Sequence, residues 1–153
     1  MIFAKSHLDL HNIRSSVQRT QKLSDNLVKI GPFGVGLDAI TGFVPFVGPL
    51  YSGAAGASLV WDGIRARSSP MILLEMSILL VLDTVAPLIP AIGGFVDALF
   101  TGHKWAGDVL LRHMADTIYF EGAKADAMAS AEYRDLMARV RAGKETRRVV
   151  FLS

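Results

Sequence analysis

The chain has 153 residues, a hydrophobic share of 51%, a mean hydropathy of +0.37 and a formal net charge of +2. That is one domain's worth of chain, apolar enough for a real core. It holds no cysteine, which excludes disulfides and thiolate metal sites, and its bases are spread rather than clustered, so nucleic acid is not an expected partner.

Residues 1–30 hold five Lys/Arg and two acids. Residues 31–102 hold only Arg65 and Arg67 against five acids, and residues 103–153 hold nine Lys/Arg and seven acids. An apolar, mildly acidic middle thus lies between polar, basic ends. Lys5, His7 and Asp9 interrupt the first ten residues, so no signal peptide is expected. The expected division is an amphipathic N-terminal helix (1–30), an apolar helical-hairpin domain (31–119) and an amphipathic C-terminal helix with tail (120–153).

In chain order, Leu8, Ile13, Val17, Leu23, Leu27 and Ile30 predict an amphipathic helix over 7–30. Helical tendency resumes through Val35–Thr41, and a Pro/Gly-containing loop, 42–48, follows. Pro49 suits the start of the next helix, 49–67. Its first half is a run of small residues in which Gly53, Gly56 and Ala57 provide small-xxx-small spacing for close helix contact. Ser68-Ser69-Pro70 stops and restarts the chain. A nearly continuous apolar helix is expected over 71–86, and a second Pro/Gly connection over 87–94. A fourth helix is expected from Phe95 to about Tyr119. Gly122 separates a last helix striped by Met128, Tyr133, Leu136, Met137 and Val140. The tail 147–153 is either frayed or a short docking strand at Val149-Val150-Phe151. The predicted class is all-α.

The connections are duplicated. Leu37-Asp38 with Pro45 and Gly48 returns, 45 positions on, as Leu82-Asp83 with Pro90 and Gly93. The frame is L-D-x6-P-x2-G, and Ala98 and Gly102 stand where Gly53 and Ala57 stand in the first copy. Such self-similarity predicts two tandem helical hairpins related by an internal repeat. Both loops are apolar and uncharged, unlike water-facing loops.

No Lys or Arg lies between Ile30 and Ile64 or between Ser68 and Gly102. Two hairpins would then put all bases on one side and both apolar loops on the other. That predicts association with the cell inner membrane, both termini cytoplasmic, with the lipid bilayer as partner. Against full spanning stand Asp38, Glu75 and Asp83, each costing about 2.5–3.5 kcal/mol at a bilayer centre. A soluble, cytoplasmic bundle that oligomerises is the competing expectation.

The doubled motif resembles the bacterial "domain of unknown function 4112" family over about 36–112. The resemblance implies a small, mostly prokaryotic, apolar helical domain, often predicted to be membrane-associated and without an assigned activity. The family reads Pro-x-x-Gly-Asp in each copy; here those Asp positions are Pro49 and Gly94. Asp97 retains a later acid whose counterpart is Ser52.

Asp38 and Asp83 are the leading site candidates, with Glu75 and Asp97 as further members of a possible ion or proton site. The structural alternative, that each Asp accepts backbone N–H groups freed by its own Pro-x-x-Gly loop, is the preferred reading. Asp97, Lys104 and Asp108 share a helical stripe. His7 and His11 have ligand spacing but lack the metalloprotease Glu, so a solvated helix face is preferred and no metal is expected. Trp61 and Trp105 suit an interfacial belt. The chain lacks a G-x-S-x-G elbow and a phosphate-binding Gly frame; neither an enzyme nor a cofactor is expected. The expected role is structural or interaction-based, as a homo-oligomer or a partner of a membrane protein. The alternative is a minimal ion or small-solute permeation unit.

Overall fold

The computed structural model describes residues 2–29, 47–85 and 102–153. Among these residues the main layer is four helices: α1 (His7–Lys29), α2 (Val47–Arg65), α3 (Pro70–Val85) and α4 (Gly102–Ala115). Beyond them come β1 (Thr117–Glu121), α5 (Lys124–Ala129), α6 (Ala131–Arg141) and β2 (Arg148–Leu152).

Reciprocal capping starts α1. Asp9 accepts the N–H groups of Lys5 and Ser6, while Ser6 Oγ accepts the Asp9 N–H. The backbone hydrogen bond from Lys5, then the Ser6 side chain, hold the Asp9 carboxyl below its usual range. Leu10, Ile13 and Val17, at helical spacing, form the buried face.

Hydrogen bonds across the chain fix the direction of each helix. Ala4 N–H donates to Arg65 O at 2.8 Å, placing the start of α1 at the end of α2. Ser69 N–H donates to His113 Nε2 at 3.3 Å, placing the start of α3 at the end of α4. Gln21 Nε2 donates to Lys104 O and Asp108 Oδ1, so later α1 lies beside early α4. The helices therefore alternate up and down. Lys29, Val47, Val85 and Gly102 share one end, and the turn 66–69 lies at the other.

Leu59, Met76, Leu110 and Met114 meet the α1 face in the main core, joined by Ala4 and by Leu152 from β2. Each such side chain contributes roughly 1.5–3 kcal/mol by leaving water. At Gly63 a Cβ would stand 2.8 Å from Leu73, and this close approach joins α2 to α3.

The chain is mostly helical, but the all-α expectation needs correction. The fourth helix stops at Ala115, short of Tyr119, and β1 follows. Its β-branched and aromatic residues pair in parallel with β2, Thr117 opposite Arg148 through Glu121 opposite Leu152. The tail is thus a strand rather than frayed. The expected single C-terminal helix is two, because Ser130 ends α5 and caps α6 by accepting the Tyr133 N–H. Phe120, Tyr133 and Phe151 form a second small core, ring centroids 5.6–5.9 Å apart. Gly48 lies in the first turn of α2 rather than in a loop before it, and Pro49 sits in that same first turn, as expected. Asp38, Pro45, Pro90, Gly93, Asp97 and Ala98 lie outside the described residues, as does much of the proposed repeat.

Candidate functional site

Asp83, near the end of α3, faces the start of α4. Its Oδ1 accepts the Gly102 N–H at 2.8 Å, and its Oδ2 lies 2.7 Å from His103 Nδ1. Both side chains are largely buried. The carboxylate thereby fixes the imidazole's orientation, and the pair ties two helices together at the end where Lys29 and Val47 lie. The approach requires glycine at 102. A Cβ there would fall 2.5 Å from Asp83 Cβ and 2.8 Å from Leu79 O.

The proposed acid cluster is not assembled among the described residues. Glu75 is exposed and lies eight residues before Asp83, about 12 Å along α3. It borders Arg112, His113 and Asp116 at the other end of the helix. Asp83 accepts from Gly102; its own Pro-x-x-Gly loop lies outside the described residues.

The small residues divide. A Cβ on buried Gly56 would touch Leu80 at 3.4 Å and His103 Nε2 at 3.7 Å. Gly53 and Ala57 are exposed along an apolar groove between α2 and α3, and Gly53 has no neighbour within 4 Å of a built Cβ among the described residues. Trp61 and Trp105 are both about half exposed but sit toward opposite ends of the bundle, so they form no single belt.

Opposite the Asp83 end, the turn after α2 gathers distant parts of the chain. Arg67 adopts φ 55°, and the N–H groups of Arg67 and Ser68 return to Ile64 O and Gly63 O. This is a Schellman ending with arginine where glycine usually stands. Three consecutive carbonyls then find remote donors. Arg65 O accepts Ala4 N–H, Ala66 O accepts the Tyr119 hydroxyl, and Arg67 O accepts an Arg148 N–H. Arg67 itself donates to Ser153 O and lies over the Phe3 ring. Nearby Asp62 is 2% exposed, bonded to Arg65 through Oδ1, while its Oδ2 has no partner among the described residues.

His113 stands within this assembly. Its Nε2 accepts the Ser69 N–H and lies 3.2 Å from Arg148 Nη1, which makes it the unprotonated nitrogen. Burial first, then the Arg148 charge, push His113 below its ordinary value; Asp116 opposes them. Burial pushes the Tyr119 phenol up, so its hydroxyl stays protonated.

His7 and His11 line a groove with Arg14, and no group of three or more His, Asp or Glu able to hold a metal occurs among the described residues. Sequence reading missed the His103 partner, the Arg67 turn and Gly107. At Gly107 a Cβ would meet Gln21 at 2.7 Å. Its only sequence signal is a small residue in an apolar helix.

An exposed apolar row lies on α3. Met71, Leu74, Ile78, Val81, Leu82 and Val85 are 45–73% exposed and recur at helical spacing. Among the described residues, no helix is long and apolar enough to cross a membrane.

Taken together, the alternating helices and their paired ends define a small apolar helical domain with a polar, hydrogen-bonded pole. The family model for "Domain of unknown function (DUF4112)" matches residues 13–114, most of the chain, and the chain belongs to that family. The match ends one residue before the end of α4, leaving β1, α5, α6 and β2 outside it. No curated protein and no solved structure gives a match.

Proposed function

We propose that this protein associates with the cell inner membrane as a structural or interaction module, its basic pole and both termini on the cytoplasmic side. The exposed apolar row on α3 carries the reading. Water is a poor environment for so long a row, and a single face of this kind suits lipid at the interface. The distribution of charge supports it. Residues 30–46 and 86–101 join helix ends at one end of the bundle, and neither stretch contains Lys or Arg. Arg65, Arg67, Arg112 and Arg148 belong to the opposite end, where Glu75 also stands beside Arg112, whereas Lys29 and Lys104 stand at the end that those stretches join. No described helix is both long and apolar enough to cross, which favours partial insertion over spanning. Flotation of the detergent-free protein with lipid vesicles tests the proposal. A monodisperse protein that stays in the high-speed supernatant supports an oligomerising soluble bundle instead.

A second reading, ion or proton passage, draws support from one observation: Asp83 and His103 form a buried ionisable pair between helices. Asp83→Asn in a liposome flux assay tests it. An unchanged flux removes Asp83 from any such path.

A further inference from the structure

His7, His11 and Arg14 lie one and two turns apart on α1, on one face, and line an open groove of about 310 Å³ at the polar end of the bundle. The facing wall carries Thr117 and Tyr119 of β1, and buried Leu10 and Met114 also border the groove. That volume is at the lower end of the ~300–1,000 Å³ common for small-ligand sites.

The two walls offer different chemistry. The α1 wall supplies donors: a permanent guanidinium cation and two exposed imidazoles. The β1 wall supplies acceptors. Thr117 Oγ1 already gives its proton to His113 O at 2.8 Å, and the Tyr119 hydroxyl gives its own to Ala66 O at 3.2 Å. Lone pairs are what these two oxygens have left. Glu121, whose Oε2 accepts the His7 N–H at 3.0 Å, adds a further acceptor near the groove. A bare anion would satisfy the α1 wall and leave the β1 wall unmatched. An anion carrying its own hydroxyl groups satisfies both.

We propose that this groove binds a phosphate with neighbouring hydroxyls, a glycerophosphate unit. Arg14 forks onto two phosphate oxygens, His7 and His11 donate beside it, and the ligand's hydroxyls donate to Thr117 and Tyr119. The same unit exists free, as glycerol 3-phosphate, and as the headgroup of phosphatidylglycerol. Only the lipid source rests on the membrane reading above.

The test uses the full chain and an Arg14→Gln/His11→Gln variant whose melting profile matches wild type. In solution, glycerol 3-phosphate is titrated calorimetrically beside inorganic phosphate. In parallel, flotation is compared on phosphatidylglycerol and on phosphatidylcholine vesicles. Expected is either soluble binding weakened about tenfold in the variant, or a phosphatidylglycerol-specific gain in flotation that the variant loses. Inorganic phosphate should bind more weakly than glycerol 3-phosphate. No binding in either arm, equal binding by the variant, or equal affinity for inorganic phosphate overturns the proposal. Failure to float on both vesicle types, with soluble binding intact, counts against the membrane reading alone.

Discussion

The Asp83 carboxylate lies 2.7 Å from the His103 imidazole while its other oxygen holds the Gly102 N–H. One side chain thereby satisfies two groups of α4 from the end of α3. Asp83→Ala strands both, and a buried polar group left unpaired costs about 1–3 kcal/mol. The expected loss is about 2–3 kcal/mol, with Asp83→Asn roughly half as costly because an amide oxygen still accepts. Chemical denaturation measures both. Equal stability of the alanine variant and wild type would remove the structural role given to Asp83.

Gly102 and Gly53 make opposite predictions. Alanine at 102 must displace the Asp83 side chain and the Leu79 carbonyl; overpacking of this kind costs about 1–3 kcal/mol. Alanine at 53 meets nothing within 4 Å among the described residues, and on a helix it gains up to about 1 kcal/mol in propensity. Melting temperatures of the two variants should move in opposite directions. A destabilised Gly53→Ala would mean that this face is packed more tightly than the contacts around it indicate.

Arg67 ends α2 in a conformation that favours glycine, and Gly143 ends α6 in the same hydrogen-bond pattern at φ 67°. Arg67→Gly and Arg67→Ala both lose the contacts to Ser153 and Phe3, so the difference between them isolates the backbone. Glycine should be the more stable by about 1 kcal/mol. A more stable alanine variant would show that the turn relaxes to negative φ.

What the residues disclose in advance depends on how far apart the partners lie. The capping of α1 by Ser6 and Asp9 is readable from Ser6-x-x-Asp9 alone, because both partners lie within one turn. The main helices are legible because Leu10, Ile13 and Val17, or Ala106, Val109, Leu110 and Met114, repeat at helical spacing. Asp83 stands out by its duplication, yet its partner His103 becomes visible only when α3 and α4 are brought together. β1 escapes because Thr117–Phe120 continues an amphipathic helix in sequence, and its parallel partner arrives only after two more helices. Arg67 carries no sign that it will occupy a glycine-like turn. Polar contacts between distant elements are the part that local patterns cannot convey.

His113 predicts acid sensitivity. The folded chain holds it below its ordinary value, while the unfolded chain titrates it near ~6.5. Between those values the unfolded chain binds the extra proton, so acidification favours unfolding. The contribution is whole above about pH 6.5–7, falls as pH drops through the unfolded value and levels off below the folded one. A proton on Nε2 would also end its acceptance from Ser69 and place a cation against Arg148. His113→Gln lacks this term. The stability difference between wild type and variant, measured at pH 7.5 and 5.5, should shift against wild type at the lower pH. A constant difference would contradict the assignment.

The exposed row on α3 bears most of the functional account, and vesicle flotation of a Leu74→Gln/Ile78→Gln/Val81→Gln variant tests it most directly. These side chains are at least half exposed, so the variant should retain wild-type helicity and melting. On phosphatidylcholine vesicles, wild type should float without detergent and the variant should lose about tenfold or more in partitioning, since each removes apolar surface from lipid contact. Flotation of the variant equal to wild type, or a wild-type protein that stays wholly in the supernatant, would contradict the account.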